Sequence, residues 1–159
     1  MFKYFQILLI TSFMSGCGFH LAGEGTFADE LSNTYVQGAS SSKEMLRLLE
    51  KNLRSNQINV VESDNATAVL RIINEETEKV VLTVDNDGKA REFELLLKVK
   101  FDVRRSDNTV LLNQQAVELS RDFVFDKSDL LGTNEEEQEL YNEMRRDAAK
   151  LIIYRLQTI

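Results

Sequence analysis

Glu92-Phe93-Glu94-Leu95-Leu96-Leu97-Lys98-Val99-Lys100-Phe101-Asp102-Val103 alternates in chemistry at every position but one. Phe93, Leu95, Leu97, Val99, Phe101 and Val103 share one parity, while Glu92, Glu94, Lys98, Lys100 and Asp102 share the other. Only Leu96 breaks the pattern. Successive side chains on a strand point to opposite faces, so this is a half-buried antiparallel strand with one wet face. Just before it, the β-branched run Val80–Val84 meets Asp85-Asn86-Asp87-Gly88, residues that tolerate left-handed backbone angles. The two segments therefore predict a hairpin. After it, Ser106-Asp107-Asn108 turns the chain into a third extended segment, Val110–Phe125. There the apolar parity changes from even (Val110, Leu112, Ala116) to odd (Val117, Leu119, Phe123, Phe125), which predicts a bulge or kink near Gln115.

Upstream, Thr34–Gln37 is a short strand candidate, and Ile58–Glu62 and Ala66–Asn74 read as extended. Ser41-Ser42-Lys43-Glu44 fits a capping box, and apolar residues at 45, 46, 48, 49 and 53 follow as a helical stripe. A helix is expected from Ser42 to Asn56. Downstream, Lys127–Thr133 reads as a loop, and Asn134 can cap a final helix whose positive end suits Glu135, Glu136 and Glu137. Leu140, Tyr141, Met144, Ala148, Leu151, Ile152 and Leu156 form its apolar stripe. The expected fold class is α+β, two helices packed on one face of a mainly antiparallel four-stranded sheet, in a single domain over residues 33–159.

The chain has 159 residues, 43% of them hydrophobic and 28% charged, with no proline, no tryptophan, one cysteine and one histidine. That composition excludes wholesale disorder, a disulfide framework and any multi-cysteine or polyhistidine metal centre. A net charge of −7 has the wrong sign for gripping nucleic acid over a broad face. No nucleic-acid partner and no cofactor are expected. His20 has Glu24 as its nearest acid and no obvious nucleophile nearby, and the chain carries no glycine-rich nucleotide loop. An enzyme is not expected.

Residues 1–16 combine Lys3, an apolar run from Phe5 to Met14 and the small residues Ser15 and Gly16. This is the pattern of a secretory signal peptide, and it is shorter than the roughly 20 apolar residues that span a bilayer. Met14-Ser15-Gly16-Cys17 resembles the bacterial lipobox, in which the cysteine thiol is joined to diacylglycerol and the peptide is cut before it. Cys17 is thus the expected lipidation site, and residues 17–32 the expected lipidated tether. Each buried acyl methylene contributes about 0.8 kcal/mol, so two or three chains anchor a protein stably. Gly18, in place of the aspartate that retains many lipoproteins in the inner membrane, implies by that resemblance the outer membrane.

Cys17-Gly18-Phe19-His20-Leu21 at the lipobox resembles the start of the LptE family of lipopolysaccharide-assembly lipoproteins. Arg121-Asp122-Phe123-Val124-Phe125-Asp126, Leu130-Leu131-Gly132 and Met144-Arg145-Arg146-Asp147-Ala148-Ala149 are similar too, as is the hairpin from Val84 to Leu95. The resemblance implies a lipid-anchored subunit on the periplasmic side of the outer membrane, sitting as a plug inside the LptD β-barrel. It also implies help in assembling that barrel and direct binding of lipopolysaccharide, which passes from a periplasmic bridge to the outer leaflet. The runner-up reading is a general periplasmic lipoprotein that binds a soluble or cell-wall ligand without a barrel partner.

Lys89 and Arg91 flank the hairpin turn and are the best local candidates for lipid phosphates, since a guanidinium offers two parallel donors to phosphate oxygens. Lys127, in the following loop, is the third candidate. Where the family carries basic residues associated with this role, the chain has Asn86 and Thr133. Phe123 and Phe125 are expected in the core. The charges on the wet face of the long strand are expected to be solvated or to meet a polar barrel lumen.

Overall fold

The computed structural model describes residues 27–125 and 130–159. Cys17, His20 and Lys127 lie outside the described residues, as do the signal peptide and most of the tether. In chain order the elements are β1 (Asn33–Gly38), α1 (Lys43–Ser55), β2 (Asn59–Val60), β3 (Ala68–Val84), β4 (Ala90–Arg105), β5 (Val110–Val124) and α2 (Leu130–Leu156).

The sheet has five strands rather than the expected four, in the order β2-β1-β3-β4-β5. It is also mixed. β1 runs parallel to both β2 and β3, whereas β3–β4 and β4–β5 are antiparallel. Parallel pairing needs a crossover, here supplied by α1, and alternation within one strand carries no information about it. The extended stretch expected at Ile58–Glu62 contributes only the two residues of β2, while Ile58 turns into the core.

β3 is one strand of 17 residues, where the sequence predicts two separate segments. Its partners step from Ile72↔Phe101 to Asn74↔Lys100, so Ile73 is an extra, bulged residue. Before the bulge the even residues Ala68, Leu70 and Ile72 are buried; after it the odd residues Glu75, Thr77 and Lys79 lie opposite the buried odd residues of β4. A carboxylate and an ammonium thus face the helices, and α2 supplies their partners. Arg145 Nε donates to Glu75 Oε1 at 2.7 Å and Lys79 Nζ donates to Glu137 Oε2 at 2.5 Å. The Tyr141 hydroxyl donates to the carbonyl of Glu78 at 3.0 Å. Polar anchoring of this kind explains why a strand continues through a stretch with no apolar alternation.

The bulge expected near Gln115 is present in β5, between the pairs Phe101↔Gln115 and Val103↔Leu112. It returns the odd residues Val117, Leu119 and Phe123 to the helix side. Leu95, Leu97, Val99, Phe101 and Val103 of β4 are buried beneath Met45, Leu49 and Leu53 of α1 and Met144, Ala148, Ile152 and Leu156 of α2. Each such large side chain contributes about 1.5–3 kcal/mol by burial. A Cβ on Gly38 would lie 2.8 Å from Leu46 Cδ2 and 3.2 Å from Ile72 Cβ, so glycine lets α1 settle onto the end of β1.

Both helix starts differ from expectation. Ser40–Ser42 form a 3-10 turn, which leaves Ser42 at the cap without a side-chain capping bond. Glu44 instead accepts from Arg47 Nε and Nη2, at 3.0 and 2.6 Å. The capping box of Ser41 and Glu44 is therefore not formed. α2 begins at Leu130, so Leu130–Thr133 of the expected loop is helical and Asn134 is not its cap. Gly132 is the weakest helix former there, and one glycine costs only about 1 kcal/mol. Packing also starts earlier than the expected boundary at residue 33. Leu31 is fully buried, Phe27 packs against the core, and the Thr67 hydroxyl donates to the Glu30 carbonyl at 2.7 Å.

Candidate functional site

The turn between β3 and β4 is built by Asp85 and Gly88. Asp85 Oδ1 accepts from the N–H groups of Asp87 and Lys89 at 3.0 and 2.9 Å, and Gly88 N–H donates to the Asp85 carbonyl at 2.9 Å. Gly88 takes φ +75°, which closes the turn in a conformation that side chains disfavour. Immediately below the turn, two bulges fall on successive rungs, one in each strand. The pairs Val81↔Phe93, Thr83↔Glu92 and Val84↔Ala90 leave out Leu82 on β3 and Arg91 on β4. Bulges re-aim side chains and strengthen local twist.

This end of the hairpin combines two chemistries. Val81 and Leu82 are each 50% exposed, Val84 58% and Val124 of the neighbouring strand 53%. Among them stand Lys89 and Arg91, both exposed, with no side-chain hydrogen bond or ion pair to any described residue. The nearby Glu92 carboxylate accepts from the Thr83 hydroxyl at 2.9 Å. Two cations without a side-chain partner among the described residues, beside exposed aliphatic side chains, suit a ligand that is both anionic and apolar. The structure thus brings Lys89 and Arg91 to one hairpin end. Asn86 sits at the exposed turn, whereas Thr133 is buried in α2.

One feature of the stem was invisible in the sequence. Lys79 Nζ lies 4.3 Å from the ring centre of Phe93, 4.7 Å from that of Phe123 and 5.9 Å from that of Phe125. With Glu137 as its carboxylate partner, this lysine fastens the stem of the hairpin to α2. The only sequence signal was its odd parity, shared with the three phenylalanines. Phe123 is buried and Phe125 packs against the core, in line with the expectation for both.

The sheet face away from the helices is charged but not freely solvated. Lys98 pairs with Glu118 on the adjacent strand. Asp102 is 4% exposed and is gripped by Arg71 through Nε at 2.7 Å and Nη2 at 2.5 Å, with Arg104 Nε at 3.2 Å. The bonds from Arg71 hold the Asp102 carboxyl below the usual aspartate range despite its desolvation, and Arg104 adds to the effect. Among the described residues there is no cluster of three potential metal ligands, and no helix is long and apolar enough to cross a membrane.

Comparison with known proteins bears on the same residues. The family model described as lipopolysaccharide-assembly matches residues 31–156. The LPS-assembly lipoprotein LptE of Photorhabdus laumondii is 30% identical over 146 residues, covering 91% of this chain and 79% of that protein. Its namesake in Pectobacterium atrosepticum is 23% identical over 154 residues, covering 96% and 81%. Among solved structures, the rare lipoprotein B of Shewanella oneidensis superposes with a TM-score of 0.69 at 28% identity, covering 79% of this chain and 94% of that one. Lipoprotein B from Nitrosomonas europaea gives a TM-score of 0.69 at 26% identity, with 88% of each chain covered. With most of its length matched by the family model and a similar fold in these lipoproteins, the chain belongs to the LptE family of lipopolysaccharide-assembly lipoproteins.

Proposed function

We propose that this chain is the lipoprotein subunit of a lipopolysaccharide translocon, held at the periplasmic side of the outer membrane by acyl chains on Cys17. It sits inside the LptD β-barrel as a plug, helps that barrel assemble, and binds lipopolysaccharide during insertion into the outer leaflet. It catalyses no reaction. The observation that carries the lipid-binding part is the hairpin end, where Lys89 and Arg91 have no side-chain partner among the described residues and stand among Val81, Leu82, Val84 and Val124. Phosphates of the lipid would take the cations, and acyl chains the aliphatic patch. The charged open face of the sheet, with its Lys98–Glu118 and Arg71–Asp102–Arg104 pairings, suits the polar interior of a barrel.

The test is binding of lipopolysaccharide to the purified full chain in mild detergent. Charge-assisted hydrogen bonds contribute about 1.5–3 kcal/mol, so the double substitution Lys89→Ala/Arg91→Ala should weaken binding by at least about tenfold. Leu82→Ser should weaken it without changing its salt dependence. Unchanged affinity in the double variant would move lipid binding away from the hairpin end.

A further inference from the structure

On the sheet face turned away from the helices, four strands enclose a depression of about 640 Å³. Gln37 of β1, Arg71 and Ile73 of β3, Arg104 of β4, and Asn113 and Gln114 of β5 line it. It is well separated from the hairpin end. Arg71 lies 13 residues along β3 from Val84, about 40 Å at the ordinary rise of a strand.

Its electrostatic centre is two guanidiniums around one carboxylate. Asp102 takes Nε and Nη2 of Arg71 and Nε of Arg104, while Arg104 Nη1 reaches Asn108 Oδ1 at 3.1 Å. Arg71 Nη1 and Arg104 Nη2 make no hydrogen bond to a described residue, and the arginine side chains are 35% and 28% exposed. The buried aspartate therefore fixes both forks and still leaves one positive charge unbalanced, in a chain whose net charge is −7. Around this charge stand three carboxamides, each able to donate and to accept. Ile73 and Val110 add aliphatic surface at the rim.

We propose that this depression binds a carboxylate-bearing sugar. Its carboxylate meets the free amino groups of Arg71 and Arg104, its hydroxyls meet Gln37, Asn113 and Gln114, and its apolar ring face rests on Ile73 and Val110. An inorganic anion would leave the carboxamides and the aliphatic rim unused, and an acyl chain would leave the guanidiniums unsatisfied. The site is independent of lipid binding at the hairpin end, so failure of that reading leaves it standing; it shares the sheet face that suits a barrel lumen, and the titration therefore uses the chain without a barrel.

The experiment is a titration of the full chain in mild detergent, followed by amide NMR shifts, with glucuronate, glucose and inorganic phosphate as the probes. Glucuronate should give saturable shifts confined to the neighbourhood of Gln37, Ile73, Asn113 and Gln114. Its half-saturation concentration should be at least tenfold below those of glucose and phosphate. Arg104→Gln should raise that concentration about tenfold. Gln114→Ala, at an exposed position outside the ion network, should raise it several-fold with the fold intact. Equal response to phosphate and glucuronate, no saturable shift, or unchanged saturation in Gln114→Ala would each overturn the proposal.

Discussion

Gly88 holds φ at +75°, and beyond its chain neighbours no atom of a described residue lies within 4 Å of the place where its Cβ would stand. Substitution there meets no steric neighbour among the described residues, so its cost is conformational, about 1–2 kcal/mol for a left-handed L-residue. Gly88→Ala should lower unfolding free energy by about 1 kcal/mol in urea denaturation, and Gly88→Asn should recover part of it because asparagine visits that region more readily. Lys79 tests a different physics. Lys79→Met keeps the stem packed but removes the charge from the three rings and from Glu137, for an expected loss of about 2 kcal/mol. A double-mutant cycle with Glu137→Gln should show coupling between the two sites, and additivity would mean that they do not interact. The exposed place of Lys89 and Arg91 at the hairpin end was legible in the sequence because they directly follow a turn signal. Lys79 was not, because its partners lie 14 or more residues away and belong to other elements.

The bulge in β5 was legible because apolar residues stand on both sides of it, so a change of parity shows. The bulge at Ile73 was hidden because the residues that follow it, Asn74 to Lys79, are polar whichever face they take. For the same reason β3 looked like two segments, and β2, with two residues, was too short to show its true extent. The parallel placement of β1 is a property of the crossover through α1, not of any residue within β1. The β3–β4 pair also carries an acid-sensitive contact. Asp102 has its pKa depressed chiefly by Arg71, so its carboxylate contributes stability above the ordinary aspartate range. That contribution is lost as pH falls from that range through the lowered folded value. Thermal unfolding followed across this acidic window should therefore show a decline that is shallower in Asp102→Asn, which is itself less stable at neutral pH. Where β4 crosses the core, Phe101→Ala should cost about 3–5 kcal/mol, read by the same denaturation.

At the scale of the whole molecule, the long β3–β4–β5 antiparallel unit presents three surfaces. One is covered by α1 and α2. The second is the charged face with the Arg71–Asp102–Arg104 network. The third is the hairpin end, where aliphatic and cationic side chains share solvent. The α+β class and the presence of two helices over the sheet followed from periodicity, since the amphipathic pattern of β4 and the stripes of both helices survive any tertiary context. Which face would meet a barrel did not follow, because charges of both signs alternate along β4 and the net charge gives no direction. The proposed role is that of a plug within one large β-barrel. A detergent pull-down of the tagged full chain from outer membranes, with partners identified by mass, tests it most directly. The expected result is one near-stoichiometric β-barrel protein that remains bound at high salt. Recovery of the lipoprotein alone, monodisperse in mild detergent, would contradict it.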